Sequence, residues 1–295
     1  MAEKGTVLTI EERRARRAAR REKQREANAG RALKMHAVRT AAGSTLETDP
    51  EVPPDFNIGC SGWFYWDWKG KFYPQAMPTQ QWFYHYASHF STVELNAPFY
   101  SWPTVNAVKT WLRQAGGRNL LYTVKVCELI THVKRFKGTK TLIRDFGFIG
   151  DLLGKHMGCF LFQLPPSHDY TPARLKAILS QLDPGRRNVV EFRHASWWNA
   201  KVYDAFRKTG TIFCSCSAPR LPDELIATTE EVYLRFHGPV KWYRHDYSTP
   251  ELKVWRDRIQ QSGANRVWAY FNNDWDAFAI KNAGEFRALL KQVQD

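Results

Sequence analysis

Asn188-Val189-Val190-Glu191-Phe192-Arg193-His194-Ala195-Ser196-Trp197-Trp198 opens as a strand and ends where a helix should begin. Val190 and Phe192 alternate with Glu191 and Arg193. Alternate side chains of a strand take opposite faces, so this carboxylate and guanidinium share one face. Working outward, seven other runs read as strands: 56–61, 90–96, 120–127, 157–164, 211–216, 232–237 and 266–272. Helical patterns fill most of the gaps, at 79–88, 104–115, 139–155, 172–182, 197–208, 250–261 and 277–293. Thr171-Pro172 and Thr249-Pro250 each set a capping hydroxyl before a first-turn proline. The gap 217–231 carries little helix signal and reads as irregular.

Alternating strands and helices imply right-handed crossovers and a parallel sheet. Eight units in about 240 residues predict an α/β protein of the (β/α)8 TIM-barrel class. A doubly wound open sheet is the competitor, and no glycine-rich phosphate fingerprint follows the first strand to support it. The expected organisation is a basic N-terminal tail over 1–54 and a barrel domain over 55–295.

Barrel sites lie at the C-terminal ends of the strands. Outward apolar residues set the phase. Thr92, Glu94 and Asn96 then point inward, as do Thr123 and Lys125, Gln163, Glu191 and Arg193, Arg235 and His237, and Tyr270 and Asn272. The sixth strand cannot be phased this way. Buried parallel strands should be almost wholly apolar, so polar residues on six of them imply either a ligand pocket or an ion network plugging the barrel. In the plug, Glu94 and Glu191 pair with Lys125, Arg193 and Arg235. Aromatic residues crowd the following loops, among them Trp63, Tyr65, Tyr100, Trp242 and Tyr243, and suit stacking on sugars or bases as well as packing.

The formal charge is +14, spread unevenly. Residues 1–50 hold 12 Lys or Arg against 7 Asp or Glu, and the remainder 31 against 22. An anionic partner follows, either a small anionic or polyhydroxylated molecule or nucleic acid. The arginines at 13, 14, 16, 17, 20 and 21 sit among alanines and glutamates with almost no large apolar residues. That composition predicts a solvated, partly helical or disordered extension with no face to dock, and Asp49-Pro50-Glu51-Val52-Pro53-Pro54 marks its end. Five scattered cysteines suit a reducing compartment, and without a secretory or long apolar segment the expectation is a cytoplasmic protein.

The motifs together resemble the YecE-like family, a domain of unknown function with a TIM-barrel fold. The resemblance spans roughly 57–293. It rests on I-G-C-S-G-W at 58–63, T-V-E-L-N at 92–96, I-T-H at 130–132, F-Q-L-P-P at 162–166, V-E-F-R-H at 190–194, R-F-H-G at 235–238 and Y-F-N-N-D at 270–274. Two departures stand out. Asn96-Ala97-Pro98-Phe99 replaces the family's usual Asn-Ser-Thr-Phe, and Cys214-Ser215-Cys216 replaces a more usual acidic residue. The resemblance implies a fold and no settled reaction.

Three functions compete. The first is a hydrolase or lyase on a phosphorylated or nucleic-acid substrate. In one version a divalent metal is held by histidines and carboxylates drawn from Glu94, Glu191, His132, His194 and His237. The second is metal-free carbohydrate chemistry with Glu94 and Glu191 as a carboxylate pair, although Arg193 should keep Glu191 ionised and unfit as an acid. The third is binding without chemistry. Glu94, Glu191 and His237 are the candidate catalytic groups. Trp63, Tyr65, Asn96, Tyr100, Lys125 and His132 are candidate substrate contacts, with Gln163, Arg193, Arg235, Asn272 and Asn273. Lys125, beside carboxylates, is expected to keep a high pKa. Asp145-Phe146-Gly147 matches a kinase triplet without its partner motifs and is set aside. Cys214 and Cys216 read as packing residues.

Overall fold

The computed structural model describes residues 9–43 and 55–292. Eight parallel strands close into a barrel in chain order. They are β1 (Phe56–Cys60), β2 (Thr92–Leu95), β3 (Leu121–Lys125), β4 (Met157–Gln163), β5 (Asn188–Glu191), β6 (Ile212–Ser217), β7 (Glu231–Phe236) and β8 (Arg266–Phe271). Each end falls within two residues of a run expected from the sequence. The helices after the strands are α2 (Trp82–His89), α3 (Ala97–Tyr100), α4 (Val105–Ala115), α5 (Lys140–Leu153), α6 (Pro172–Leu179), α7 (Ala200–Thr209), α8 (Thr249–Ser262) and α9 (Phe278–Lys291). Thr171 caps α6 through the Arg174 amide. At α8 the cap is Ser248, one residue earlier than expected, and it forms a capping box with Glu251.

The β6–β7 connection has no helix among its described residues. Its chain lies along β6 instead: Thr228 Oγ1 accepts from Phe213 N and donates to Thr211 O, and Ser215 Oγ accepts from Ile226 N. Ser215 therefore faces out, which phases β6 with Ile212, Cys214 and Cys216 inward. These three pack in a second core inside the barrel with Leu121, Cys159, Leu161, Val189, Tyr233, Trp268 and Tyr270. A Cβ on Gly158 would stand 2.9 Å from the Trp268 ring, so the missing side chain lets that indole fill the barrel. The interior turns polar toward the C-terminal end. The Tyr270 hydroxyl bonds the Thr92 and Thr123 hydroxyls at 2.7 and 2.8 Å. All five cysteines are buried and free.

The N-terminal segment corrects the sequence reading. Ile10–Ala42 is one helix, α1, opened by a capping box between Thr9 and Glu12, and it is docked against the barrel. Arg21, Arg25, Asn28, Ala32, Met35 and Arg39 repeat at alternating steps of four and three, which keeps one face toward a neighbour. That face is largely polar, which is why apolar periodicity missed it. Arg21 and Arg25 pair with the buried carboxylate of Glu128. Asn28 donates to Tyr100 O at 3.1 Å and accepts from Trp102 N at 2.8 Å. Ala32 and Met35 are buried, and His36 and Arg39 grip the buried Asp145 of α5. Asp145 thus serves as a docking group. The expected boundary at 49–54 lies outside the described residues.

Asn28 holds two backbone groups that would otherwise be buried and unpaired. Asn28→Ala should weaken docking by about 2 kcal/mol, roughly thirtyfold in the undocked population. Limited trypsin digestion should then cleave α1 correspondingly faster while the barrel persists. An unchanged cleavage rate would mean that α1 is held without that bond.

Candidate functional site

The barrel interior ends in an ion network centred on Arg235, which is 1% exposed. Arg235 extends from the end of β7 beneath the mouth. One of its nitrogens donates to Glu191 Oε2 of β5 at 2.7 Å. The other donates to Ser61 Oγ at 2.9 Å and to Glu94 Oε1 of β2. Tyr233, two residues earlier on the same face of β7, donates to the second Glu94 oxygen at 2.6 Å. Ser61 also donates to Glu94 and accepts from Asn96 Nδ2 at 2.8 Å. Arg193 closes on the other Glu191 oxygen, Oε1.

Burial opposes charge on Glu191, but Arg193 and Arg235 outweigh it and hold the carboxyl well below its usual range. Arg235 is held the other way: its partners overcome the burial penalty and raise it. His237 sits 3.6 Å from Glu191 Oε1, yet burial and the two guanidinium groups push it far down, so the ring is neutral. Its Nε2 accepts from Arg193 at 3.1 Å, and the Asn272 amide lies 3.1 Å from Nδ1. Lys125 departs from expectation, because it makes no ion pair with either carboxylate. Its Nζ stands 4.1 Å over the Phe99 ring, and burial, with Arg235 next, lowers it to about 7.

Above this network opens a cavity of about 830 Å³. Network and pocket therefore coexist, the first forming the base of the second. The cavity brings together Tyr65, Asn96, Tyr100, Lys125, His132 and Gln163 with Arg193, Arg235 and Asn272. Glu94, Glu191 and His237 lie directly beneath. His132 is lowered to about 4 by burial and by Lys125. Two expected contacts lie elsewhere. Trp63 packs against Phe83 with ring centroids 4.5 Å apart. Asn273 is fully buried and donates to His245 O and Asn282 Oδ1, fixing the turn into α9.

The sequence reading missed Asp274, Arg220 and Arg21, all of which line the cavity. Asp274 had a signal: it continues the even-numbered inward series of Tyr270 and Asn272. Burial raises its carboxyl to about 8 against a weaker hydrogen bond from Tyr65. Arg21 reaches the pocket from α1 while held by Glu128 at 3.1 Å.

Among the described residues, Glu191, Cys216 and His237 could bring three ligand atoms within 4.8 Å of one another. They do not fit a divalent cation. Both Glu191 oxygens face guanidinium groups, and His237 Nε2 is taken by Arg193. A cation there would have to displace two fixed positive charges.

Removing Arg235 would leave the buried Glu94 without a cation and Glu191 with Arg193 alone. Arg235→Met should cost about 4 kcal/mol of stability in urea or thermal unfolding. A loss below about 1 kcal/mol would mean that the network does not depend on this residue.

A family model described as "Protein of unknown function DUF72" matches residues 57–295. The UPF0759 protein YunF of Bacillus subtilis (strain 168) is 26% identical over 269 residues, covering 79% of this chain and 94% of that protein. A crystal structure of a DUF72 family protein from Thermotoga maritima MSB8 superposes with a TM-score of 0.71 at 26% identity, covering 81% of this chain and all of that one. One from Enterococcus faecalis V583 gives 0.65 at 18% identity, covering 80% and 95%, and supports the fold alone. The YecE-like resemblance and this family are the same under two names, and α1 precedes the matched region. The chain belongs to the DUF72 family.

Proposed function

We propose that the chain is an enzyme that binds a phosphate-bearing substrate in the barrel mouth and moves protons on it through Asp274 and Lys125. The observation that carries this reading is the charge of the cavity wall. Four guanidinium groups, those of Arg21, Arg193, Arg220 and Arg235, face the space together with the Lys125 amine. Among the described residues of the wall the one carboxyl group is Asp274, raised to about 8 and so largely uncharged at neutral pH. Glu94 and Glu191 are already spoken for by Arg235 and Arg193. A bound phosphate would meet fixed donors and no competing anion.

The acid and base assignments follow from environments that separate the two groups' roles. Lys125, lowered to about 7, is substantially neutral at physiological pH and can accept a proton. Asp274 still carries its proton there and can donate one. Proton removal by Lys125 and proton delivery by Asp274 are the two halves of an elimination, and equally of a general-base hydrolysis. The carboxylate-pair reading is weaker, because one guanidinium binds Glu94 and Glu191 together and Glu191 is held ionised. Among the described residues the metal-dependent version lacks a suitable donor set. Binding without chemistry keeps one supporting observation, the internal pairing of the network.

The base must be neutral and the acid protonated, so activity requires a pH above about 7 and below about 8. A panel of sugar phosphates and phosphate-terminated oligonucleotides should contain a substrate whose kcat/KM is bell-shaped in pH with limbs near those values. Asp274→Asn should lose the alkaline limb and about 10²–10⁴ in kcat, and Lys125→Met the acid limb. Tight binding of such compounds with no turnover by the wild type would select the binding-only reading.

A further inference from the structure

Residues Ile10–Arg20 of α1 are exposed throughout, and the helix enters the pocket wall at the next residue, Arg21. The exposed half of α1 therefore starts at the mouth of the cavity. Counting back from Arg21 by four and then three reaches Arg17 and Arg14, which share its helix face. They continue a cationic line from inside the pocket to about 10 Å beyond it, at 1.5 Å per residue. At the same rim Tyr100 is exposed with the Arg21 guanidinium 5.4 Å from its ring centroid. Across the cavity Arg193 lies 4.5 Å over Trp242.

We propose that α1 docks a single-stranded nucleic acid and leads one end of it into the pocket. One phosphate would sit against the cavity cations, the next ones on Arg21, Arg17 and Arg14, and a base on the aromatic rim. The pocket end of this inference rests on the phosphate-site reading given above. The stripe itself rests on the placement of α1. A repeating anion matches a row of arginines one helical turn apart, and stacking on exposed rings tolerates any base. An anionic membrane surface is a poorer partner. From Glu11 to Arg31 the helix carries no Leu, Ile, Val, Met, Phe, Tyr or Trp, and interfacial helices need an apolar face. For an acidic protein the same stretch offers none of the apolar and aromatic anchors on which protein interfaces depend.

The test is fluorescence anisotropy with a short labelled single-stranded deoxyoligonucleotide, titrated at several salt concentrations. Sulfate binding, followed calorimetrically, reports the pocket. Arg14→Gln/Arg17→Gln keeps good helix formers at both positions. It should weaken the oligonucleotide about tenfold at low salt and reduce the log–log salt slope by about 1.4, from about 0.7 per lost phosphate contact. Sulfate affinity should stay the same. An unchanged oligonucleotide affinity and slope would overturn the inference and leave the pocket reading standing. So would equal competition by polyglutamate of matched charge, or binding of phosphatidylserine vesicles in place of the oligonucleotide. Stripe-dependent oligonucleotide binding without any sulfate binding would support the docking surface and overturn the pocket reading.

Discussion

A single guanidinium bridging two buried carboxylates organises this molecule. Arg235 joins β7 to Glu94 on β2 and Glu191 on β5, so it ties distant parts of the barrel together across its axis. Buried charges are costly unless paired, and the remaining carboxylate oxygens here are met by hydrogen bonds from Tyr233 and Ser61 and by the charge of Arg193. The network fills the top of the interior above the apolar layer of Trp268, Ile212 and Leu121. It also decides what lies above it. Both carboxylates are engaged by Arg235 and Arg193, so neither turns an unpaired negative charge toward the cavity. Lys125 and Asp274 are shifted by that environment: burial moves both toward neutrality, and Arg235 adds to the effect on Lys125.

The docked helix shows a second use of the same chemistry. α1 is held by Glu128 and Asp145, two buried acids on the barrel side, and by the Asn28 carboxamide. Such an interface needs few large side chains. Its specificity comes from the cost of leaving those acids unpaired, a geometric condition that a basic helix of the right register meets. The consequence for the site is direct, because the register that places Arg25 on Glu128 also places Arg21 in the cavity wall.

Much of this was legible in the sequence. Strand period and helix punctuation carry the barrel order, and the polar interruptions at 94, 125, 191, 193 and 235 carry the position of the mouth. What was not legible has physical causes. α1 was misread because its repeating face is Arg-Arg-Asn-Ala-Met-Arg, which an apolar count scores as solvent. Asn273 follows Asn272 in the same motif, but parity along β8 points to Asp274, and Asn273 instead fixes the turn into α9. Trp63 looks like a rim residue in sequence, but the loop folds back and buries it against Phe83. Lys125 was expected to be stabilised by carboxylates, and in three dimensions the arginines reach those carboxylates first.

The central claim is that the mouth is an anion site in which burial holds the amine of Lys125 close to neutrality. Calorimetric titration of sulfate, which does not itself titrate near neutrality, in two buffers of different ionisation heat tests it most directly. At pH 8 the free Lys125 is mostly neutral and an incoming anion raises its affinity for a proton. Binding should therefore take up part of a proton at pH 8 and less at pH 6, with the Lys125 share lost in Lys125→Met. Sulfate binding with no difference between buffers at pH 8, or no sulfate binding at all at low ionic strength, would contradict the account.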